Sequence, residues 1–384
     1  MRVLGKGKTA QAIKEVYPKV NLYDDGDKSI YDINSHEDTI VSPGIPPSNY
    51  LVKNTKNILS DYDLFLDEKK FSIWISGTNG KTTTTQMMNH LLNSDGFECG
   101  GNIGTPLAQI SNKDKLILET SSFTLYYTNK VKPNIYILLP ISDDHVSWHG
   151  SFKDYEEAKL KPLSMMKKED IAIVPNKYKD IKSDAKIYFY KDSEDLAKQF
   201  EIDNSKIKFN EPFLLDSLLA LCTQKLVGKT IDYERINSFK VDEHKVEEFY
   251  DNQNRLWVDD SKATNVDASI WALKAYVNKR IYLILGGDDK GADLTPLFDE
   301  LKNYNVKIYN IGTNTKRLNN LASENIIEFE SCETLNVAVE KIAQKHDNNS
   351  VAMLSPAAAS LDQFSSYKQR GKEFKHLVFN LRKF

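Results

Sequence analysis

Short apolar runs alternate with longer segments of mixed polarity along almost the whole chain. Runs of this kind are typical of parallel strands that are buried on both faces of a sheet. The segments between them are long enough for the helices that connect parallel strands. The runs are Met1–Leu4, Val20–Tyr23, Ile73–Ile75, Leu116–Leu118, Ile135–Leu139, Ile171–Val174, Ile281–Leu285, Val306–Ile311 and Val351–Leu354. The pattern therefore predicts an α/β fold, and its interruptions favour more than one sheet.

Two interruptions suggest where domains begin and end. The first is the charged stretch 61–70, DYDLFLDEKK, and the second is a polar segment within residues 227–241. At 384 residues the chain is also too long for one average core. We therefore expect three domains, at residues 1–68, 69–240 and 241–384.

The composition of the chain indicates the cellular compartment and the partners that are not expected. The net charge is −3, which gives no reason to expect nucleic acid as a partner. The three cysteines are far apart, so they favour a reducing compartment over a disulfide framework or a zinc site. No apolar run approaches the length of a membrane span or a signal peptide. These features predict a cytoplasmic protein that binds neither nucleic acid nor a membrane, and we expect it to be a monomer.

A candidate phosphate-binding loop follows the apolar run FSIWI and precedes a helical pattern. Its sequence, ISGTNGKTTTT, spans residues 75–85 and carries Ile75 where the usual phosphate loop has its first glycine. Gly77 and Gly80 permit tight turns, and amides at the start of the helix can hold phosphate oxygens. In such loops the lysine, here Lys81, contacts the outer phosphates, and the hydroxyl of Thr82 binds Mg²⁺. The alternative is a structural turn with a lysine that faces solvent.

Other polar residues follow apolar runs at positions where α/β enzymes place ligand contacts. Glu119 ends one run and is a candidate Mg²⁺ ligand, for which a helix-capping acid is the alternative. His145 follows another run, although a lone loop histidine is more often structural.

Near the N-terminus, the glycine loop 5–9 precedes a helix, and Asp24 follows the next strand, as in half of a dinucleotide-binding pattern. Lys159, judged alone, is a surface lysine on a helix.

Seven motifs in this order resemble those of the Mur ligases. They are GTNGKTTT, GGNIG, ETSSF, DDHVSWHGSFKDYEEAK, DDSKATN, LGGDDKGAD and SPAAASLDQFSSYKQRG. The resemblance extends from about residue 5 to residue 371, and the phosphate loop of that family also lacks the first glycine. It implies a Rossmann-like N-terminal domain for a UDP-linked substrate, a P-loop ATPase-like central domain for ATP, and a Rossmann-like C-terminal domain for an amino acid.

The resemblance also implies an activity, an ATP-dependent amide ligation through an acyl phosphate. DSKATN, GGDDKGAD, SPAAASLDQF and the N-terminal VSPGIPPS favour the member that adds D-glutamate to UDP-N-acetylmuramoyl-L-alanine in peptidoglycan precursor synthesis. One alternative is a folylpolyglutamate synthase or a ligase for a diamino acid. Another is a nucleotide-binding regulator that has lost catalysis, which is disfavoured because the expected catalytic side chains occur together.

Individual roles follow from the same resemblance. The residues expected to hold ATP are Gly77, Thr78, Asn79, Gly80, Lys81, Thr82, Thr83, Asp216, Lys245 and Asp260. Thr82 and Glu119 would bind one Mg²⁺, and His145 and Lys159 would serve a second. Lys159 corresponds to a lysine that carries a CO₂-derived carbamate, which supplies the anionic oxygen that an ammonium lacks. The expected catalytic residues are Lys81, His145, Lys159 and Lys262.

The remaining expected residues contact the other two substrates. Those expected to contact the UDP-linked substrate are Gly5, Lys8, Thr9, Asp24, Ser42, Gly44, Asn102 and Ser121. Those expected to contact D-glutamate are Lys262, Thr264, Lys290, Ser360, Leu361 and Tyr367.

Three positions depart from the family pattern. Asp216 stands where an asparagine is expected beside adenine, and Tyr367 stands where a phenylalanine closes the D-glutamate site. Lys245 replaces an arginine, so it keeps the charge but loses the planar fork that makes bidentate contacts. These departures put details of nucleotide contact in question, and not the reaction.

Overall fold

The computed structural model describes residues 1–102 and 104–381. Ile103, within the GGNIG motif, and residues 382–384 lie outside the described part. The described residues form three sheets with helices between their strands, which confirms the predicted α/β class.

The first sheet lies at the N-terminus and has the order β2-β1-β3-β4. Its strands are β1 (Arg2–Leu4), β2 (Asn21–Tyr23), β3 (Thr39–Val41) and β4 (Ile58–Leu59), and all their pairings are parallel. Helices α1 (Lys8–Val16), α2 (Tyr50–Lys53) and α3 (Asp61–Phe65) accompany it. The glycine loop 5–9 therefore connects the end of β1 to the start of α1, as the sequence predicts.

The second sheet is parallel and has the order β10-β9-β8-β5-β7-β6. Its strands are β5 (Phe71–Ser76), β6 (Phe97–Gly101), β7 (Lys115–Glu119), β8 (Ile135–Leu138), β9 (Ile171–Pro175) and β10 (Lys186–Tyr190). Its helices are α4 (Lys81–Leu92), α5 (Leu107–Ile110), α6 (Ser122–Tyr127), α7 (Val146–His149), α8 (Phe152–Met165), α9 (Ser193–Gln199), α10 (Phe213–Leu226) and α11 (Tyr233–Ser238). Ile73 and Ile75 of β5 face the core beneath α4 and α10, and Trp74 faces the opposite core. Burial on both faces explains why this strand is a continuous apolar run.

The third sheet has the order β11-β12-β16-β13-β14-β15, and β11 alone runs antiparallel to its neighbour among the described strands. Its strands are β11 (Glu247–Tyr250), β12 (Leu256–Asp259), β13 (Arg280–Gly286), β14 (Val306–Ile311), β15 (Glu328–Glu333) and β16 (Ser350–Leu354). Its helices are α12 (Val266–Lys274), α13 (Thr295–Leu301), α14 (Thr315–Glu324), α15 (Leu335–Ala343) and α16 (Tyr367–Phe379).

The chain divides into two compact units, and the first two sheets lie together in the first. That unit comprises residues 1–209 and 213–239, and the second comprises residues 210–212 and 240–384. The charged stretch 61–70 is not a plain linker, because α3 begins within it. Tyr62, Phe65 and Leu66 follow helical spacing and are buried, so they fix this segment to the core. No helix in the described part of the chain has the length and apolarity needed to cross a membrane.

Candidate active site

One edge of the second sheet gathers the polar residues that the sequence singles out. The phosphate loop follows β5, Glu119 ends β7, Asn102 follows β6, and His145 follows β8. These four strands are neighbours in the order β8-β5-β7-β6. Because parallel strands end at the same edge of a sheet, the four positions converge there.

The glycines of the phosphate loop occupy positions that side chains cannot fill. Gly77 has φ +137°, and a Cβ there would lie 2.5 Å from the Cβ of Leu139. Gly80 has φ +84°, and its Cβ would lie 2.5 Å from Oδ1 of Asp216. The loop thus turns tightly and delivers the chain to the start of α4 at Lys81. The Lys81 ammonium lies back on the loop, donating to the carbonyl oxygens of Gly77 at 2.9 Å and Thr78 at 2.7 Å.

Glu119 is held at both carboxylate oxygens beside this loop. Thr82 Oγ1 donates to Oε2 at 2.8 Å, and Asn102 Nδ2 donates to Oε1 at 2.7 Å. The carboxylate is buried, yet it does not serve as a helix cap, because Ser121 caps α6 by accepting from the amide of Thr124. A hydroxyl and a carboxylate in contact offer the hard oxygen ligands that Mg²⁺ prefers.

Lys159 is buried, so the interpretation of this residue as a surface lysine is wrong. Its side chain is 1% exposed, and its Nζ lies 2.7 Å from the carbonyl oxygen of Gly77 and 4.7 Å from the centre of the Tyr155 ring. Burial holds the pKa of the ammonium well below its usual value, and the positive charge of Lys81 adds to this effect. A lysine in this position is readily neutral, and a neutral amine is a nucleophile.

His145 directly precedes α7 and has a left-handed backbone, φ +54°. Its ring lies 4.8 Å from the ring of Phe123, and its Nε2 lies 3.5 Å from Oδ2 of Asp144. One turn further on, His149 is buried and shares a hydrogen bond of 3.0 Å with Ser122 Oγ. Burial, with the charges of His145 and Lys159, lowers the pKa of His149 to about 4. The neutral imidazole of His149 therefore packs behind the exposed imidazole of His145.

Tyr155 and His149 support this edge, and the sequence reasoning missed both. The Tyr155 hydroxyl shares a hydrogen bond of 2.9 Å with Thr78 Oγ1 in the phosphate loop, and its ring lies against Lys159 and His149. The available signal was helical spacing, since Tyr155 precedes Lys159 by four residues and His149 follows His145 by four.

A cavity of about 570 Å³ lies between the loops of the first sheet and the second sheet. Its lining includes most of the residues expected to contact the UDP-linked substrate, namely Gly5, Lys8, Thr9, Asp24, Ser42, Gly44 and Asn102. Ser121 lies outside the lining and acts as the α6 cap. Gly5, with φ +113°, approaches Ser42 so closely that a Cβ would lie 2.6 Å from the Ser42 hydroxyl. Asp24 caps the turn after β2 and pairs with Lys6 at 3.0 Å.

The second unit brings its own set of predicted residues to one sheet edge. Asp260, Lys290 and Ser360 follow β12, β13 and β16, which are neighbours in the third sheet. Asp260 is buried and accepts from Ser355 Oγ at 2.7 Å, and burial raises its pKa to about 7. Lys290 lies in an exposed turn with φ +52°.

The other predicted residues of this unit differ in exposure. Lys262 Nζ lies 3.6 Å from Oδ2 of Asp242, and Thr264 is exposed. Leu361 is 67% exposed, and Tyr367 begins α16. The exposed members of the set leave this edge open to a ligand.

Two of the unusual positions have defined surroundings. Asp216 is buried behind Gly80 and accepts from Thr84 Oγ1 at 3.0 Å, so it supports the phosphate loop from below. Lys245 lies close enough to Asp260 for its charge to oppose the rise in the pKa of that carboxyl.

Comparisons with known proteins agree on one family. A profile described as "Mur ligase middle domain" matches residues 75–212. The UDP-N-acetylmuramoylalanine–D-glutamate ligase of Campylobacter jejuni (strain RM1221) is 48% identical over 98% of both chains. The enzyme of the same name from Helicobacter pylori (strain J99) is 43% identical, again over 98% of both chains. Among solved structures, the MurF ligase of Thermotoga maritima in complex with ADP matches with a TM-score of 0.61 and 15% identity, covering 98% of this chain and 93% of its own.

Proposed function

This chain belongs to the Mur ligase family, and we propose that it joins D-glutamate to UDP-N-acetylmuramoyl-L-alanine in an ATP-dependent reaction. Identity of 48% over 98% of both chains with a ligase of that name carries the proposal. The reaction forms an amide through an acyl phosphate of the substrate carboxylate and contributes to peptidoglycan precursor synthesis, in the cytoplasm. Residues 1–68, 69–240 and 241–384 then act as the domains for the UDP-linked substrate, ATP and D-glutamate, in a monomeric enzyme.

The cavity of the first unit suits the UDP-linked substrate. Amides of the glycine loop, at the start of α1, offer donors to a diphosphate. Asn102 lines the same cavity and contacts Glu119 at 2.7 Å, so the cavity leads toward the phosphate loop. A substrate with its diphosphate at the glycine loop can therefore extend its carboxylate toward the site of phosphoryl transfer.

The phosphate loop and Glu119 fit ATP with a divalent cation. Gly77 and Gly80 have positive φ and turn the loop tightly, which lets backbone amides at the start of α4 face phosphate oxygens. Thr82 and Glu119 would hold one Mg²⁺, which supplies charge neutralisation at the phosphate oxygens. The Lys81 ammonium lies on the loop carbonyls and would contact the outer phosphates of ATP, and Asp216 keeps the loop in its turn. We assign Thr78, Asn79 and Thr83 to the same phosphate cradle.

Lys159 is suited to carry a carbamate. Its buried, readily neutral amine can attack CO₂, forming an N–C bond and releasing one proton to solvent. The product replaces a potential cation with an anionic oxygen next to Gly77. Together with His145 it would serve a second Mg²⁺, because an ammonium at this place would repel a metal ion whereas a carboxylate-like oxygen binds one.

We assign D-glutamate and the ribose side of ATP to the edge of the third sheet. Lys262 and Lys290 provide cations for a dicarboxylate, and Thr264, Ser360, Leu361 and Tyr367 shape the pocket around it. Asp260 and Lys245 are the assigned contacts to ATP from this unit. Lysine at position 245 gives a point charge in place of the arginine fork, so a weaker orientation of the phosphates is expected.

Product formation tests the proposed function. The protein would be incubated with ATP, Mg²⁺, D-glutamate and UDP-N-acetylmuramoyl-L-alanine, and the nucleotide pool would be analysed by mass spectrometry. We expect an amide product heavier than the substrate by one glutamyl residue, together with ADP and phosphate. A reaction that leaves the substrate mass unchanged would reject the proposal, and omission of ATP provides the control.

A further inference from the structure

Asp61 is a buried acid in the wall of the substrate cavity that neither the sequence motifs nor the roles above include. It opens α3 and is 7% exposed. It lines the cavity together with Tyr62, Gly101 and Asn102. Its Oδ1 has no hydrogen-bond partner among the described residues. Ser42 Oγ is also buried in the cavity wall, and it too has no hydrogen-bond partner among the described residues.

The capping box at the start of α3 does not use the Asp61 carboxyl. The start of α3 is already capped, because Ser60 accepts from the amide of Asp63 while the Asp63 side chain accepts from the amide of Ser60. Asp63 also receives amides from the segment 129–131, so it serves both the cap and a neighbouring loop. An unpaired buried carboxylate oxygen costs more than a favourable position in the first turn of a helix provides. The amides of Asp61 and Tyr62 interact with this carboxyl, yet Oδ1 has no hydrogen-bond partner among the described residues, so this oxygen is available to a ligand in the cavity.

The surroundings of Asp61 indicate which part of a ligand it meets. The hydroxyl of the adjacent Tyr62 donates to the carbonyl oxygen of Glu119 at 3.3 Å. Asn102, in the same stretch of wall, donates to the Glu119 carboxylate at 2.7 Å. Both contacts place this wall next to the candidate metal and phosphate site. In the orientation argued above, the uridine and diphosphate lie at the glycine loop, and the sugar–peptide portion passes Asp61.

We propose that Asp61 accepts a hydrogen bond from an amide N–H or hydroxyl of the sugar–peptide portion of the UDP-linked substrate, and thereby selects that portion. This inference rests on the proposed function. The sugar–peptide portion is rich in amide and hydroxyl donors. The phosphate groups of UDP, in contrast, lie at the other end of the cavity, beside the glycine loop. Burial raises the pKa of the Asp61 carboxyl to about 7, which reduces its repulsion of an anionic substrate at neutral pH.

Binding measurements on two Asp61 variants test the inference. Isothermal titration calorimetry would give the Kd of UDP alone and of UDP-N-acetylmuramoyl-L-alanine, and steady-state kinetics would give the KM of each substrate. For Asp61→Ala we expect the Kd and KM of the full substrate to rise about tenfold, the change expected when a buried donor of the ligand loses its hydrogen-bond partner. The Kd of UDP and the KM values of ATP and D-glutamate should stay within about twofold. Asp61→Asn keeps one acceptor oxygen, so it should recover part of the loss.

A matched control variant and measurements on the wild type distinguish a failure of this inference from a failure of the proposed function. Asp67→Asn removes an exposed carboxylate shortly after the same helix and should leave all constants unchanged. An Asp61→Ala variant that binds UDP and the full substrate as tightly as the wild type would overturn the inference. Equal weakening of all ligands, with a lower Tm in Asp61→Asn as well, would also overturn it by showing a purely structural role. A wild type that binds the full substrate no better than UDP and forms no product would instead reject the proposed function.

Discussion

Replacing Gly80 by alanine tests the geometry of the phosphate loop against a closely matched position. Gly80 and Gly96 have the same φ, +84°, and both lie in the first unit. A Cβ at residue 96 would meet no atom within 4 Å. A Cβ at residue 80 would lie 2.5 Å from Oδ1 of Asp216 and 2.9 Å from Cδ2 of Leu139. The two substitutions share the backbone cost and differ in the packing cost.

The expected difference follows from these contacts. Left-handed backbone costs a non-glycine residue about 1–2 kcal/mol, so Gly96→Ala should reduce the free energy of unfolding by about that amount. At Gly80 the buried Asp216 must move and give up its hydrogen bond with Thr84 Oγ1, 3.0 Å long. That bond contributes about 1 kcal/mol, and overpacking adds about 1–3 kcal/mol. Gly80→Ala should therefore lose about 3–6 kcal/mol in total.

Urea denaturation followed by tryptophan fluorescence measures this difference, since Trp74 is fully buried in β5 beside the loop. The KM for ATP provides a second readout, and it should rise at least about tenfold in Gly80→Ala while it stays unchanged in Gly96→Ala. If Gly80→Ala were no less stable than Gly96→Ala and bound ATP normally, the tight contact between the loop and Asp216 would be refuted.

Three further predictions concern the metal site and the second unit. Lys159→Ala should lower kcat by about 100-fold or more. The control Lys153→Ala changes a lysine on the same helix that is 82% exposed, and this variant should be active. If a carbamate NMR signal from ¹³C-bicarbonate persisted in Lys159→Ala, the assignment would be contradicted. Glu119→Gln should raise the Mg²⁺ concentration needed for half-maximal activity about tenfold or more, with the exposed Glu98→Gln as control; an unchanged Mg²⁺ titration would count against Glu119 as a ligand. His346 is buried, with hydrogen bonds to Ser350 Oγ and the carbonyl oxygen of Leu256, and burial lowers its pKa to about 4. Between about pH 6.5 and pH 4 the unfolded chain binds a proton at His346 that the folded protein does not. The stability conferred by the neutral ring is therefore complete above pH 6.5, and it falls by up to about 3 kcal/mol as the pH decreases to 4. Urea midpoints of His346→Gln with the same pH slope as the wild type would disprove this.

The apolar pattern located most of the strands that lie inside the sheets and missed most of those at the edges. Ile73–Ile75 is buried on both faces, so every residue of that run is apolar. Val306–Ile311 is also largely buried, although it includes Lys307 and Asn310. Among the missed strands, β4, β6, β10, β11 and β15 are edge strands, and β3 is an interior strand of the first sheet. The edge strands expose one side to solvent, as in Glu328–Glu333, whose polar residues do not form an apolar run.

The candidate site was predictable only where motifs determine local geometry. The loop around Gly80 and the position of Glu119 at a strand end follow from sequence order and the rules of parallel sheets. The burial of Lys159 does not, because it depends on how α8 packs against the end of β5, and a helical lysine normally faces solvent. The burial of Asp61 was also missed, because the charged residues around it made this segment resemble a boundary between domains.

An amino-acid panel tests the central claim most directly. Phosphate release would be measured with ATP, Mg²⁺ and UDP-N-acetylmuramoyl-L-alanine in the presence of D-glutamate, L-glutamate, L-lysine or meso-diaminopimelate. Release with D-glutamate alone is the predicted result. Release with a diamino acid instead, or with none of the four, would contradict the assignment of this chain as a D-glutamate-adding ligase.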